Sequence, residues 1–379
     1  MELTATYICP VRGLDGLEAP EPSRIETAAG IAADLGLERL YLPVLEEALL
    51  RAPRVVTAYL DGLVAALDRM EKKGLGAMLT APAGRLLGLA WGAPYLASGW
   101  KGAQAPPIFL DGKVRRLRPY DWWADPAVLE KRIRVFRECV GALSGHPALG
   151  GWLLMDRALE WNRPSAQVAD WMLRSCLGEI RDKGSGAVVY LGVGWSELLD
   201  PQIVRGLAKE VDGLRLGGME HLPEALGPAE DFFTENLAAG YLGTMARWLF
   251  DRPVEIEIGY RVPARSPGAE EGAEAAQTLA ASGVAAVSRP SLADPEPALR
   301  QRPPWVLRPG LDRVGLLDAG MEPKAWVPAW LDTLKRGAEA GEPFGFIDLS
   351  RNEYLADPMM HLQRLWGHFR DDRVRRHPL

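Results

Sequence analysis

The sequence predicts an α/β fold, a single (β/α)8 barrel, from three observations. Eight short apolar or β-rich runs alternate with longer segments whose apolar residues recur at three- and four-residue spacing. Composition shows no break through about residue 302, which assigns 1–302 to the barrel and 303–379 to an extension of the same domain. No G-x-G-x-x-G follows any of the runs, which sets aside the open dinucleotide-binding sheet. With 379 residues, 47% of them hydrophobic, the chain suffices for one core of that size.

Thr4–Val11 reads as the first strand. Ser23 and Glu26 stand at capping-box spacing around Ile25, Ala28, Ala29, Ala32 and Leu35, and Gly36 closes that helix. Arg39–Val44 is the second strand, and Leu60, Leu63, Val64, Leu67 and Met70 mark the helix Thr57–Lys73. Gly76–Ala81 is the third strand. From Pro82 to Ala124 the chain reads as a long loop rich in Gly, Pro and aromatic residues, a kind of segment that is usually functional inside a compact domain. Asp125-Pro126 then opens a helix, with Asp125 as N-cap and Leu129, Ile133, Phe136, Val140 and Leu143 on one face.

The fourth strand is the run Gly151-Trp152-Leu153-Leu154-Met155, entered from His146-Pro147 and ended by Asp156-Arg157. It is too short for a helix and suits a buried parallel strand. The C-terminal ends of barrel strands carry the chemistry in this fold, so Asp156 and Arg157 are expected at a site rim. Ser165–Lys183 is the next helix, and Ala187–Val193 is the fifth strand, ending at Gly194-Trp195. Gly213–Met219, Pro253–Ile258 and Val284–Ser288 are the sixth, seventh and eighth strands, separated by helices over 231–249 and 270–282. In the extension, Asp357-Pro358 caps a last amphipathic helix bearing Leu362, Leu365, Trp366 and Phe369.

The net charge of −6 argues against binding nucleic acid as the main task. Cys9, Cys139 and Cys176 share no metal-like spacing and imply no disulfide framework. No run approaches a membrane span, and Met1-Glu2-Leu3-Thr4 is not a signal peptide. The expectation is a soluble protein, cytoplasmic as given or exported after loss of a signal, that uses no cofactor and no metal. Its oligomeric state stays open.

Several motifs resemble one known group. Tyr41-Leu42-Pro43-Val44 and Lys73-Gly74-Leu75 resemble its early strands, His146–Trp152 its fourth, and Pro253–Gly259 its seventh, with Gly315–Asp318 and Pro323-Lys324 in the tail. The group is the retaining β/α-barrel glycoside hydrolases of clan A, the cellulase-like families. The resemblance implies a carbohydrate ligand or substrate and Glu257 as the catalytic nucleophile. It also exposes departures. The Asn-Glu pair that ends the family's fourth strand falls on Asp156-Arg157, the arginine of its second strand falls on Tyr41, and the histidine at the end of its third strand is missing. Retaining hydrolysis needs two carboxyl groups about 5–5.5 Å apart, and an arginine cannot take the proton-transferring role.

Strand alternation places further residues. Glu255 and Glu257 lie two apart on the seventh strand and face the barrel interior, opposite Val254, Ile256 and Ile258. Arg215 on the sixth strand faces the same way, and Arg289 at the end of the eighth is a further inward candidate. Buried glutamates need partners, which these arginines and Arg157 supply. A buried ion-pair cluster with no catalysis accounts for the pattern as well as a site does. A substitute acid is sought in Asp156 or Glu160. Glu220, Trp91, Trp161 and Trp195, on loops after strands, are expected to touch the ligand together with Tyr41, Arg157, Arg215 and Glu255, and flat aromatic faces suit sugar rings. Three readings remain: a rewired glycosidase, a non-catalytic carbohydrate-binding or scaffolding protein, and an unrelated barrel enzyme whose arginines hold an anionic substrate, with an anionic sugar compatible with the first two.

Overall fold

In the computed structural model the described residues are 1–81, 85–87, 89–91, 97–101, 107–110, 113–119, 121–160, 163–183, 186–219, 226, 232–260, 267–307, 310–337 and 342–376. Eight parallel strands close into a barrel: β1 (Glu2–Thr6), β2 (Arg39–Pro43), β3 (Gly76–Thr80), β4 (Leu149–Leu154), β5 (Val188–Gly194), β6 (Gly213–Gly217), β7 (Val254–Glu257) and β8 (Ala286–Arg289). β1 pairs β8 through Thr4 and Ser288, and β2 through Thr6 and Tyr41, which completes the ring. Outward residues such as Leu214, Leu216, Val254, Ile256 and Val287 are buried against the helical layer. Inside, Tyr41, Met78, Leu153 and Tyr190 form a separate apolar plug. The interior is thus packed rather than hollow, as this fold requires.

Local signals explain most of the elements. Asp125 caps the helix Pro126–Leu143 by accepting from Ala127 N and Val128 N at 3.0 and 3.3 Å. Ser165 does the same for Ala166–Asp182, and Asp357 Oδ1 accepts from Met360 N at the start of the last helix. The Ser23 capping box does not form. The helix starts two residues earlier, with Glu21 at the N-cap and Pro22, pre-set for a first helical turn, as its first residue, so Ser23 lies inside it. A capping box does close on Ser350 and Glu353, ahead of Arg351–Ala356.

The largest correction concerns the segment after β3, which is not one structureless loop. It carries a small five-stranded sheet in the order Arg85–Leu86, Leu89–Trp91, Pro107–Leu110, Lys113–Pro119, Ala97–Lys101. Its hairpin pairs Leu110 with Lys113, and the sequence signal for it is an Asp-Gly pair between two β-rich runs. Because the sheet leaves the barrel after β3, it stands on the C-terminal face.

The chain beyond the barrel packs back on its wall. Asp294 Oδ1 accepts from Gly315 N at 2.9 Å and from Lys324 Nζ at 2.8 Å, pinning the segment that follows β8. The helix Val327–Arg336 lies on Ala269–Ala280, close enough that a side chain at Gly272 would meet the Trp326 carbonyl at 2.7 Å. The last helix, Pro358–Arg376, sets Trp366 and Phe369 against Tyr241 of the helix Phe232–Phe250. No helix among the described residues is long and apolar enough to cross a membrane.

Replacing Asp125 by Ala removes the acceptor for two helix amides. Urea unfolding should show a loss of about 1 kcal/mol, and an unchanged midpoint would refute the capping assignment.

Candidate functional site

β4 ends in a tight turn that decides where its charged residues go. Met155 and Arg157 both hold positive φ, 51° and 50°, and Arg157 N donates to Gly192 O at 3.1 Å. Such a conformation costs a non-glycine residue energy and persists only where the surroundings fix it. Glycines on the next two strands make the room. A side chain at Gly192 would collide with Asp156, and one at Gly194 with Glu160 Oε1. One at Gly217 would begin 3.2 Å from Arg157 Cδ and 3.3 Å from Glu257 Oε2, so these two groups meet over the end of β6.

Arg157 is clamped to Glu160, donating from Nε to both carboxylate oxygens at 3.1 Å and from Nη2 to Oε2 at 2.9 Å. Arg85, from the inserted sheet, reaches the same oxygen at 3.2 Å. Glu160 is therefore placed as the shared counter-ion of two guanidiniums. Trp195, half-buried, lies beside Arg157, since both come within 3.2 Å of where a side chain at Gly218 would start.

Below the rim, Arg215 is buried in the barrel between two glutamates. Its Nη2 donates to Glu257 Oε1 at 2.6 Å and to Ser288 Oγ at 3.1 Å, and its Nε lies 3.9 Å from Glu255 Oε1. The guanidinium also faces the Tyr41 ring at 4.2 Å. Burial disfavours its charge, but Glu257 and the other acidic groups outweigh that and hold Arg215 above its ordinary value. The second oxygen of Glu257 accepts from the Tyr260 hydroxyl at 3.0 Å. Glu255 accepts from Thr4 Oγ1 at 2.6 Å and from the Tyr41 hydroxyl at 2.7 Å.

Asp156 is buried, which pushes its carboxyl up to about 6; Arg215 pulls it down, Glu257 raises it and Arg157 lowers it. It therefore shares the electrostatic field of Glu257. Glu197, on the turn Trp195–Leu198 after β5, is buried and pushed up to about 7, with Arg163 lowering it and Glu160 raising it. Its Oε2 lies 3.4 Å from Arg163 Nη1.

Of the residues expected at the site, Glu257, Asp156, Arg157, Glu160, Arg215 and Trp195 converge. Tyr41 and Glu255, expected to touch a ligand, are instead 0% and 1% exposed, one layer down and bonded to each other. Alternation along β7 sends both glutamates inward, but only the outer one reaches the mouth. Arg289 is not inward. Ser288 takes the interior position, and Arg289 turns to the outer layer, donating to Val314 O at 2.8 Å and facing the Trp326 ring at 5.3 Å. Arg157 and Arg215 are matched by the chain's own carboxylates, so they no longer argue for an anionic sugar. Trp91 lies on a strand of the inserted sheet, while Trp161 and Glu220 lie outside the described residues.

Tyr260, Glu197 and Arg85 were not anticipated, and only Tyr260, just past the seventh strand, carried a positional signal. Among the described residues, Asp68, Glu71 and His146 bring possible metal ligands together. They lie at the opposite end of the barrel, where His146 already contacts Asp68 through Nε2 and accepts from Ala148 N through Nδ1.

The closed ring of eight parallel strands inside a helical layer is a fold this chain shares with solved glycoside hydrolases. Its solved neighbours include GH5_18 proteins. One from Bifidobacterium longum subsp. infantis superposes with a TM-score of 0.70 at 14% identity, covering 90% of this chain and 80% of that one. One from Streptomyces cattleya, solved in complex with GlcNAc, gives 0.65 at 17% identity over 88% and 80%. An exo-β-1,4-mannosidase from Opitutaceae bacterium strain TAV5 gives 0.67 at 16% identity over 89% and 59%. No protein-family model matches the sequence, and no curated protein does.

Arg215→Met would leave two buried glutamates without their cation. Urea unfolding should register a loss of about 3–5 kcal/mol, and a loss under about 1 kcal/mol would show that the cluster is not coupled. Glu197 makes a second prediction. A carboxyl raised in the folded state contributes stability that is complete below its unfolded value and lost as pH rises through about 7. Stability should therefore fall between pH 5 and pH 8, and the fall should be smaller in Glu197→Gln by on the order of 2–3 kcal/mol. Parallel curves for the two proteins would remove Glu197 from the account.

Proposed function

We propose that this protein is a carbohydrate-active barrel, a rewired retaining glycosidase in which Glu257 is the nucleophile and Asp156 handles the proton. The observation that carries this reading is Glu257 at the mouth of the barrel with a donor on each oxygen, Arg215 and Tyr260, together with a buried Asp156 whose carboxyl is pushed up to about 6 and feels the Glu257 charge. Donors on both oxygens suit a carboxylate anion aimed at the anomeric carbon. In the first step a Glu257 oxygen attacks that carbon while Asp156 gives its proton to the departing oxygen. In the second, Asp156 takes a proton from water, which attacks the glycosyl ester and releases Glu257. Arg157 transfers no proton and acts as a fixed charge, with Glu160 as its counter-ion.

The structural neighbours point to the sugar to try. A GH5_18 protein from Bifidobacterium longum subsp. longum is described in complex with Manβ1-4GlcNAc, with a TM-score of 0.70 at 14% identity. A β-linked mannoside is the substrate class we assign, with Trp195 offering its face to a ring. Trp91, Trp161 and Glu220 remain sequence-based candidates for further contacts.

A second reading, a non-catalytic carbohydrate-binding protein, draws on one specific observation. The buried Arg157 guanidinium, paired with Glu160, occupies the mouth next to Glu257, where the usual mechanism has a proton-transferring carboxyl group.

Hydrolysis of Manβ1-4GlcNAc and nitrophenyl β-mannosides separates the two. Turnover that vanishes in Glu257→Gln supports the glycosidase, and equal turnover in both proteins sinks the nucleophile assignment. No hydrolysis by the wild type, with disaccharide binding retained in calorimetry, selects the second reading. As an acid, Asp156 must be protonated, so kcat/KM should decline as pH rises through about 6. Asp156→Asn should cost about 10²–10⁴ in rate on the disaccharide and abolish that decline. A pH profile identical to that of the wild type would exclude Asp156 as the acid.

A further inference from the structure

The chain turns directly after β7 at Gly259, whose φ of 112° belongs to the region that glycine favours. A side chain there would run into the Arg289 guanidinium. The two amides of this turn, Gly259 N and Tyr260 N, both donate to Glu235 Oε1, at 2.9 and 3.0 Å. Glu235 comes from the helix Phe232–Phe250 and is fully buried, a costly place for a carboxylate that is not fixing something. What it fixes is the residue whose hydroxyl donates to Glu257 Oε2 at 3.0 Å. Arg289 backs the turn from the other side, anchored on Val314 O and over Trp326.

We propose that Glu235 is a positioning residue: by holding the Gly259 and Tyr260 amides it sets the Tyr260 hydroxyl on Glu257 and thereby orients the nucleophile. This rests on the assignment of Glu257 as nucleophile. Glu235 touches no substrate and reaches Glu257 through Tyr260, so removing Tyr260's hydroxyl should make the state of Glu235 irrelevant to Glu257.

The test is a double-mutant cycle read by covalent labelling with dinitrophenyl 2-deoxy-2-fluoro-β-mannoside. In that reaction a Glu257 oxygen bonds to the anomeric carbon and dinitrophenolate leaves with its electron pair, so no proton donor is needed. Intact mass gives the labelling rate, and circular dichroism and melting establish that each variant is folded. Glu235→Gln should slow labelling roughly fivefold and Tyr260→Phe roughly tenfold. The double variant should be no slower than Tyr260→Phe alone. Labelling of Glu235→Gln at the wild-type rate, or losses that multiply in the double variant, would overturn the proposal. A wild type that takes no label overturns the nucleophile assignment and this proposal with it, a result distinct from a labelled wild type with an indifferent Glu235→Gln. Hydrogen exchange at Gly259 and Tyr260 adds a readout that needs no catalysis: it should speed up in Glu235→Gln, and unchanged exchange counts against the brace. Where Glu235→Gln fails to fold, Glu235→Asp, which keeps the charge and shortens the reach, takes its place with the same expectations.

Discussion

Two carboxylates on one strand of a closed barrel are largely withdrawn from solvent, and Arg215 supplies much of what water would. It donates to Glu257, lies within ion-pair distance of Glu255 and stacks on Tyr41, while Thr4 and Ser288 fill the remaining positions. Polar groups buried at this density are tolerated only when they form a connected network. Everything at the mouth depends on this arrangement. Arg215 from below and Tyr260 from beside each hold one oxygen of Glu257 and so fix its direction. The cluster of Tyr41, Met78, Leu153 and Tyr190 adjoins the network, with Tyr41 belonging to both.

A second constraint acts at the rim, and it is steric. Gly192, Gly194 and Gly217 lie at the ends of β5 and β6, where side chains would obstruct Asp156, Glu160 and Arg157. The absent side chains let the positive-φ turn after β4 fold its charged residues over the barrel instead of out to solvent. Arg157 then needs a counter-ion in a nearly water-free place, and Glu160 meets that need three residues on. A guanidinium has thus entered the mouth of the barrel, and one residue earlier stands the buried carboxyl of Asp156, pushed up to about 6 by desolvation.

The barrel was legible in the sequence because strand and helix periods differ and each run carried one of them. The inward direction of Glu255, Glu257 and Arg215 followed from a period of two. The inserted sheet was missed because its short strands lie among Gly, Pro and aromatic residues, where no periodicity is long enough to register. Arg289 was misplaced because it ends its strand, where a one-residue difference in register reverses a side chain's direction. Glu235 and Glu197 carried no local signal at all, since a glutamate near a helix start or a turn usually faces solvent.

The sequence by itself determined the fold class and the strand ends that form the mouth, with the charged pair Asp156-Arg157 at one of them. Those features are local: they depend on hydrophobic period, capping residues and residue identity at one position. Only the tertiary structure decided which charges neutralise one another. It paired Arg157 with Glu160, set Arg215 between Glu255 and Glu257, and sent Arg289 and Glu235 behind the turn that carries Tyr260. Ion pairing and burial join residues far apart in the chain, such as Thr4 and Glu255 or Glu235 and Gly259. Their energies depend on distance and on the exclusion of water, neither of which is written in any single stretch of the chain.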